Sequence, residues 1–436
     1  MKFFIETIGC QMNICDSDAV SLSLLTFGAD KVNALVDADV AVLNTCSVRA
    51  QAEHKAYSWL GRAEELKAVK KDLKIIVIGC MAQRLGDKIT KRFKSVDLVI
   101  GAKDIEEAAK KIIELQNKNS KAQKTDARSG KPDADISDFS LKLSTPSANP
   151  VRYLTIMRGC DNYCSYCVVP FVRGNEISLN CEDILKQCEI YAENGTKEIK
   201  FLGQNVNSYN YGGINFAALL EKASEIEKIS RIRFMTNHPK DLSQDLIDAI
   251  ASLPKVCNHI HLPMQSASDK ILQSMNRKYT YSHYRLLVEQ LRKKIPDINI
   301  TTDIITGFPQ ETQEDFQATL RAVKDIRFGG AYIFRYSPRP NTAAAAMSDD
   351  VPIEEKKRRL QILLDETNKI SAEIAASAVG RRRLVLAEKC EDGVLETRTK
   401  DNRKVFVKGS PQDIGKEIDV LIAQAKINSL FGEICK

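Results

Sequence analysis

The sequence contains no apolar run long enough to span a bilayer, and its amino terminus lacks the hydrophobic region of a secretory signal. A membrane helix needs about 20 consecutive apolar residues. Glu6 interrupts the apolar residues that follow Lys2, whereas a signal peptide needs a longer apolar stretch. We therefore expect a cytoplasmic protein with no membrane partner.

Compositional bias is also absent. Of 436 residues, 43% are hydrophobic and 28% are charged, which excludes a disordered chain, a collagen-like fibre and a coiled coil. No solenoid repeat is visible, and the length predicts two to four domains. The 64 Lys and Arg residues exceed the 57 Asp and Glu residues by seven. This charge is compatible with an acidic partner such as RNA but does not require one.

Strand-like and helix-like segments alternate over the first 115 residues. The apolar runs lie at 3–6, 40–44, 75–78 and 98–100, and the helical patterns lie at 18–27, 50–67 and 105–115. Strands separated by helices pair in parallel, so this α/β region predicts a doubly wound parallel sheet. The polar segment 117–150, with three prolines, predicts a flexible linker.

A second α/β region begins near residue 151. Its strand-like runs lie at 153–157, 199–202, 232–235, 259–262, 298–304 and 331–334. Six such units predict a partial (βα)6 barrel, whose active site would lie at the carboxyl ends of its strands. A charged helix at 353–376 and four short strands at 384–388, 394–399, 405–407 and 417–422 follow, and these strands predict a small β-barrel. The expected domains are therefore 1–116, the linker 117–150, 151–376 and 377–436.

The densest cysteine cluster is the CxxxCxxC run of Cys160, Cys164 and Cys167, directly after the first strand of the second α/β region. Cytosolic cysteines are kept reduced, so the 12 cysteines do not predict disulfides. A zinc site would need a fourth ligand, and no nearby His supplies one. A redox CxxC pair would leave Cys160 without a role. Both interpretations stay open, but three thiolates are typical of a [4Fe-4S] cluster with one open iron.

A second set of three cysteines follows predicted strands of the first α/β region. Cys10, Cys46 and Cys80 come after the first, second and third strands. Because the carboxyl ends of parallel strands share one edge of a sheet, these thiols could converge there. The alternative is that they are small buried hydrophobic residues. That alternative suits the other six cysteines better, namely Cys15, Cys181, Cys188, Cys257, Cys390 and Cys435.

The CxxxCxxC loop, with Tyr166 before its last cysteine, resembles the radical S-adenosylmethionine (SAM) superfamily. With both cysteine sets, nearly the whole chain resembles the radical SAM methylthiotransferases. The segments that carry this resemblance are ETIGCQMN at 6–13, LNTCSVR at 43–49, GCMAQR at 79–84, RGCDNYCSYC at 158–167, RG at 173–174, LGQNVN at 202–207, PMQS at 263–266, MNRKYT at 275–280, DIITGFPQE at 303–311 and YSPRP at 336–340. Leu179, Asn180 and Asn341 depart from the family pattern.

The resemblance implies two [4Fe-4S] clusters, an auxiliary cluster on Cys10, Cys46 and Cys80 and a radical SAM cluster on the CxxxCxxC cysteines. It implies a methylthio transfer to C2 of N6-isopentenyladenosine at position 37, in the tRNA anticodon loop. SAM would serve both as methyl donor and as the source of a 5′-deoxyadenosyl radical. It also implies a carboxy-terminal TRAM module for RNA and an external electron donor, and we expect a monomer.

Resemblance and strand-end position together nominate seven residues for SAM binding: Tyr166, Gln204, Asn205, Gln265, Ser266, Asp303 and Gly307. We nominate no catalytic residue beyond the cluster ligands. For Gly307 the alternative is a simple strand-to-helix turn, with Thr312 and Asp315 as a helix-start pair.

Three other functions stay open. Related methylthiotransferases modify threonylcarbamoyl-adenosine in tRNA or an aspartate of a ribosomal protein, and a non-catalytic iron-sulfur protein that binds RNA or transfers electrons is a third possibility. Residues 381–408 carry nine Lys and Arg against five Asp and Glu. This local excess of four positive charges favours a phosphate-bearing partner over a basic ribosomal protein, unless it is simply a solvated face.

Overall fold

The structure is a computed structural model that describes residues 1–47, 50–121 and 149–435. Two compact units are present. The first includes residues 1–145 with 158–161 and 168–177, and the second includes 146–157, 162–167 and 178–436. Most of the predicted linker, 117–150, lies outside the described residues.

The first unit is built around a five-stranded parallel sheet. Its strands are β1 (Lys2–Ile8), β2 (Asp30–Lys31), β3 (Val40–Thr45), β4 (Lys74–Gly79) and β5 (Val96–Gly101), in the order β2-β1-β3-β4-β5. Its helices are α1 (Gln11–Thr26), α2 (Ala50–Val69), α3 (Cys80–Leu85), α4 (Asp87–Arg92), α5 (Ala108–Lys121) and the later α6 (Val169–Arg173). The predicted doubly wound sheet is confirmed, and β2 is a strand that the sequence pattern did not predict.

Helices cover both faces of this sheet. Val20 and Leu24 of α1 pack with Ile112 of α5 against one face, and Ala56 and Leu60 of α2 pack against the other. All six residues of β3 are buried. A continuous apolar strand of this kind is expected where a parallel sheet is covered on both sides.

The second unit contains six parallel strands with helices between them. The strands are β6 (Val151–Thr155), β9 (Glu198–Leu202), β12 (Arg231–Phe234), β13 (His259–His261), β14 (Asn299–Thr306) and β15 (Gly330–Arg335). The helices are α7 (Cys181–Glu193), α8 (Phe216–Ser224), α9 (Gln244–Ser252), α10 (Asp269–Ser274), α11 (Tyr281–Lys294), α12 (Gln313–Ile326) and α13 (Ile353–Ala376). Two short strands, β10 (Asn210–Tyr211) and β11 (Ile214–Asn215), complete this unit, and β7 (Met157–Arg158) and β8 (Ile177–Ser178) each have one residue in each unit.

All six predicted strands of this region are present, in two three-stranded parallel sheets. Their orders are β12-β9-β6 and β13-β14-β15. The chain before β13 joins the two sheets at one point, because Ile232 N–H donates to the Lys255 carbonyl (2.7 Å) and Cys257 N–H donates to the Ile232 carbonyl (2.9 Å).

The carboxy-terminal strands form a closed five-stranded barrel. They are β16 (Arg382–Glu391), β17 (Val394–Thr399), β18 (Lys404–Lys408), β19 (Glu417–Lys426) and β20 (Ser429–Ile434), in the order β16-β17-β18-β20-β19. The predicted small barrel is confirmed, but the expectation of four strands was wrong. The missed strand is β20, in which Gly432 has no side chain to continue the apolar pattern. Glycine is needed there because a Cβ would lie 2.4 Å from Val420 Cγ1.

Two arginines of β12 fix this barrel against the six parallel strands. Arg231 Nε donates to Glu417 Oε1 (2.7 Å), and Arg233 Nη2 donates to the Thr399 carbonyl (3.2 Å). Arg233 also pairs with Glu198 of β9 (3.0 Å), and both arginine side chains are buried. Within the described ranges no helix is both long and apolar enough to cross a membrane.

Candidate functional site

The structure brings the three cysteines of the first unit to one edge of its sheet. Cys10 lies at the amino-terminal cap of α1, two residues after β1. Cys46 directly follows β3, and Cys80 is the first residue of α3, directly after β4. The three strands are neighbours, so the convergence of their carboxyl ends follows from the parallel order.

Two of these thiols are in direct contact. A hydrogen bond from Cys46 lowers the pKa of Cys10 to about 6, with smaller contributions from Asn13 and Arg173, although burial opposes the change. Burial raises the pKa of Cys80, and the nearby Arg173 guanidinium counteracts part of this increase. The set therefore offers three soft sulfur ligands, one of which is largely a thiolate at neutral pH.

A buried amide network fixes the segments that carry Cys10 and Cys46. Asn13 Nδ2 donates to Asn44 Oδ1 (2.9 Å), and Asn44 Nδ2 donates back to the Asn13 carbonyl (2.9 Å). Gly79 completes the arrangement at φ +97°, since a Cβ there would lie 2.4 Å from Asn44 Oδ1. Only glycine allows β4 to approach β3 this closely just before Cys80.

The donor set suits a cluster better than a single metal ion. No group of three or more His, Cys, Asp or Glu side chains in the described residues has the geometry to hold one ion. A [4Fe-4S] cluster binds each thiolate to a different iron, so its ligands do not crowd around one point. Three convergent thiols without a fourth protein ligand fit this pattern.

The CxxxCxxC segment is divided between the two units, with Cys160 in the first and Cys164 and Cys167 in the second. In the first unit, Cys160 N–H donates to the Gly174 carbonyl (3.2 Å). Gly159, at φ +76°, lies so close to this segment that a Cβ would be 1.8 Å from the Asn175 carbonyl oxygen. The backbone before Cys160 therefore requires glycine for both conformation and space.

In the second unit, the segment after α10 contacts Cys164 and Ser165. Ser165 N–H donates to the Met275 carbonyl (2.9 Å), and Cys167 N–H donates to the Cys164 carbonyl (2.9 Å). Arg277 is buried, and its Nη1 lies 3.4 Å from Cys164 Sγ. A guanidinium stays charged in proteins, so Cys164 Sγ has a positive charge within hydrogen-bonding distance.

Buried polar atoms without partners among the described residues mark the SAM-binding candidates. They follow the carboxyl ends of three strands: Gln204 Oε1 and Asn205 Oδ1 after β9, Asn237 Oδ1 and His238 Nε2 after β12, and Gln265 Oε1 after β13. Gln265 also has φ +65°, a strained backbone that occurs mainly at functional sites. Unpaired buried polar atoms are costly, and a ligand with amino, carboxylate and hydroxyl groups, such as SAM, fits them.

Asp303 and Ser266, two more residues nominated for SAM binding, differ in how accessible their polar atoms are to a ligand. Asp303 Oδ2 lies 3.4 Å from His261 Nε2 and is partly exposed. The Ser266 hydroxyl lies 3.3 Å from Thr319 Oγ1 and accepts from Ser268 N–H (3.2 Å), so it is engaged inside the fold. Asp303 is therefore the better placed of the two to contact a ligand.

Gly307 and Tyr166, the last two nominated residues, are held by contacts within the fold. Gly307 N–H donates to Glu311 Oε2 (2.7 Å), and Thr312 and Asp315 form a capping box at the start of α12. The strand-to-helix turn that the sequence left as an alternative is therefore present. Tyr166 packs on the buried Phe308 and Tyr336 cluster, and burial raises its pKa well above the ordinary value, so its phenol stays neutral.

Sequence reasoning missed several residues of these sites. Arg173, Arg277 and His238 received no role, although the first two lie in segments that carry the family resemblance. His238 is neutral because burial lowers its pKa to about 2, and its Nδ1 accepts from Lys240 N–H (3.2 Å). His261 could have been found by strand periodicity, which places residues two apart on the same face, and both His259 and His261 contact Thr301 Oγ1.

Comparison with protein families identifies the class. Residues 154–323 match the Radical SAM superfamily, residues 2–101 match Uncharacterized protein family UPF0004, and residues 378–435 match the TRAM domain. The chain is thus a radical SAM enzyme, a class whose cofactors are a [4Fe-4S] cluster and SAM.

Curated relatives narrow this to one family. The chain is 58% identical over 434 residues, 100% of both chains, to the tRNA-2-methylthio-N(6)-dimethylallyladenosine synthase of Endomicrobium trichonymphae. It is 42% identical over 443 residues, 99% of both chains, to the synthase of the same name from Francisella tularensis subsp. holarctica. The chain therefore belongs to the tRNA-2-methylthio-N6-dimethylallyladenosine synthase family.

Solved structures support the fold alone. The radical SAM methyltransferase TsrM from Kitasatospora setae superposes with a TM-score of 0.57 at 12% identity, over 91% of this chain and 80% of TsrM. The cobalamin-dependent SAM radical enzyme OxsB gives a TM-score of 0.53 at 12% identity, over 85% of this chain and 57% of OxsB.

Proposed function

We propose that this protein adds a methylthio group to C2 of N6-isopentenyladenosine at position 37, in the anticodon loop of tRNA, and uses SAM both as methyl donor and as radical source. The observation that carries the proposal is the convergence of Cys10, Cys46 and Cys80, a second thiol set that SAM cleavage alone does not need. Full-length similarity to synthases named for this product supports the same conclusion.

In this proposal Cys10, Cys46 and Cys80 hold an auxiliary [4Fe-4S] cluster, and the CxxxCxxC cysteines hold the radical SAM cluster. When bound, the clusters supply the electron for SAM cleavage and the sulfur for transfer. The unpaired atoms of Gln204, Asn205 and Gln265 bind SAM, and Asp303 contacts it from β14. Tyr166, Ser266 and Gly307 shape the pocket through packing and backbone rather than through free polar groups.

The carboxy-terminal barrel supplies the positive surface for tRNA. Of the acids in 381–408, Glu388 and Asp401 pair with Arg398 (2.6 Å) and Arg403 (3.0 Å). Arg381 and Arg382 are exposed. Charges left available on one module favour a phosphate backbone as the partner. An unpaired anticodon-loop base can enter a pocket without melting a duplex.

The accompanying expectations remain part of the proposal. They are the domain division 1–116, 117–150, 151–376 and 377–436, an external electron donor, a monomeric enzyme and a cytoplasmic location, where its tRNA substrate is found.

Cysteine substitutions test the two thiol sets separately. After anaerobic reconstitution, Cys10→Ala should abolish methylthiolation of isopentenylated tRNA but keep reductive SAM cleavage, whereas Cys164→Ala should abolish both. Cys15→Ala is the matched control for Cys10, since it removes a thiol from the first turns of α1, the helix that Cys10 caps. The measurements are 5′-deoxyadenosine by chromatography and the modified nucleoside by mass spectrometry.

Two outcomes would contradict the proposal. If Cys10→Ala still transferred sulfur normally, the assignment of an auxiliary cluster to Cys10, Cys46 and Cys80 would be wrong. Intact clusters without SAM consumption on any tRNA would favour the non-catalytic alternative. Parallel assays with tRNA that carries threonylcarbamoyl-adenosine show whether the enzyme modifies that nucleoside instead of isopentenyladenosine.

A further inference from the structure

A buried arginine lies beside the three cysteines of the first unit, although it comes from the segment that follows the CxxxCxxC loop. Arg173 is the last residue of α6, and its side chain is 5% exposed. The preceding residue, Val172, packs with Cys80 and Ala102 in a buried cluster. This packing directs the end of α6 toward the start of α3, where Cys80 lies.

Asp16 holds the guanidinium in place. Arg173 Nη2 donates to Asp16 Oδ2 (2.8 Å), and the Asp16 side chain is 1% exposed. Asp16 Oδ1 has no hydrogen-bond partner among the described residues. The acid therefore depends on Arg173 for its compensation, while the guanidinium has further donors, one of which hydrogen-bonds with Cys80.

We propose that Arg173 is a positioning residue for the auxiliary site, whose fixed positive charge, held by Asp16, offsets the negative charge of the Cys10, Cys46 and Cys80 thiolates. This inference rests on the proposed function, because it assigns a cluster to those cysteines. A cluster bound by three thiolates carries net negative charge, and Cys46 and Cys80 are buried, where charge is stable only when it is compensated. Hydrogen bonds and charges next to the ligands also set the reduction potential.

Substitutions of Arg173 and Asp16 test this proposal, because they should shift the reduction potential of the auxiliary cluster in opposite directions. The test protein is the full chain with Cys160, Cys164 and Cys167 replaced by Ala, so that only the auxiliary cluster can form. Arg173→Met removes positive charge and should shift the midpoint potential to a more negative value. Asp16→Asn frees the guanidinium from its counter-charge and should shift the potential to a more positive value. Arg173→Lys keeps the charge and should remain close to the unsubstituted test protein.

The measurements are iron and sulfide content and an EPR-monitored redox titration. Arg173→Met leaves a buried acid unpaired, so the double variant Asp16→Asn/Arg173→Met serves if the single variant does not fold. The double variant should lie between Asp16→Asn and Arg173→Met in potential, and below the unsubstituted test protein.

The outcomes separate this inference from the proposed function. If the test protein with Arg173 and Asp16 intact binds no cluster, the auxiliary assignment is overturned and this inference with it. If the cluster forms but Asp16→Asn and Arg173→Met leave the potential unchanged, or move it in the same direction, only the role of Arg173 is overturned. A purely structural role would lower cluster content without opposite shifts of potential.

Discussion

Replacing Glu198 with Gln should loosen the carboxy-terminal barrel from the six parallel strands. Glu198 is fully buried at the start of β9 and accepts from Arg233 Nε (3.0 Å), with Lys200 Nζ also close (3.2 Å). Arg233 in turn donates to the Thr399 carbonyl in β17 (3.2 Å). A neutral side chain at this position would leave the buried Arg233 without its counter-ion and Lys200 with only Glu388, 3.6 Å away.

The pKa of Glu198 gives the magnitude. Burial opposes its ionisation, but the attraction of Arg233 and Lys200 prevails and lowers the pKa from 4.5 to about 2. At about 1.4 kcal/mol for each pKa unit, this difference corresponds to about 3.5 kcal/mol. Breaking a buried ion pair by removing one partner costs about 3 to 5 kcal/mol. The two values agree within their precision.

The sign of the pH dependence follows from the lowered pKa. The stabilisation by Glu198 is fully present above pH 4.5 and is lost as the pH falls toward 2. The effect of the substitution should therefore be measured near pH 7, where Glu198 is ionised and its contribution is complete.

Hydrogen exchange followed by mass spectrometry is the appropriate assay, because it reports opening of peptides from β16 to β20 separately from the rest of the chain. About 3.5 kcal/mol corresponds to an increase on the order of 300-fold in the opening equilibrium. The matched control is Glu193→Gln, since Glu193 pairs with Lys228 on the surface (2.7 Å) and such pairs are worth about 1 kcal/mol or less. Equal exchange in the two variants would refute this account of how the barrel is held.

Three other substitutions probe the loop, the second arginine and the RNA surface. Gly159→Ala should lose the iron of the radical SAM cluster, whereas Gly174→Ala, also at positive φ but with space for a Cβ, should retain more of it; equal iron contents would contradict the steric explanation. Arg277→Met should reduce SAM cleavage at least about tenfold by removing a charged hydrogen-bond donor, and Arg277→Lys should recover part of it; unchanged cleavage in both would contradict the prediction. Replacing Arg381 and Arg382 with Ala should weaken tRNA binding and lower the slope of log affinity against log salt by about 0.7 to 0.9 for each phosphate that is no longer neutralised, and an unchanged slope would place the RNA surface elsewhere.

Local pattern was enough to predict the parallel strands of both α/β regions and the convergence of Cys10, Cys46 and Cys80. Strand periodicity and helix periodicity are properties of neighbouring residues, and convergence at one sheet edge follows from parallel order alone. The sequence pattern placed the first helix at 18–27, whereas α1 begins at Gln11. Its first turns contain Asn13, Asp16 and Ser17, which are polar yet buried. They interrupt the apolar pattern because they face the thiol site.

Contacts between distant segments could not be predicted in this way. The positions of Arg173 beside Cys80 and of Arg277 beside Cys164 depend on packing across 93 and 113 residues of chain, and no local pattern encodes them. The unpaired atoms of Asn237 and His238 are visible only once their burial is known.

Each thiol set thus has a buried arginine that is not a ligand. Arg173 is held by Asp16 next to Cys80, and Arg277 donates to Cys164 Sγ at 3.4 Å. Cys46 and Cys80 are buried, and a thiolate in such a place needs compensating charge nearby. A guanidinium suits this task because it stays protonated and can bind a carboxylate and a sulfur simultaneously through different donors. Cysteine spacing therefore predicts the two thiol sets, whereas the positive charge beside each set comes from residues that only the folded chain brings near.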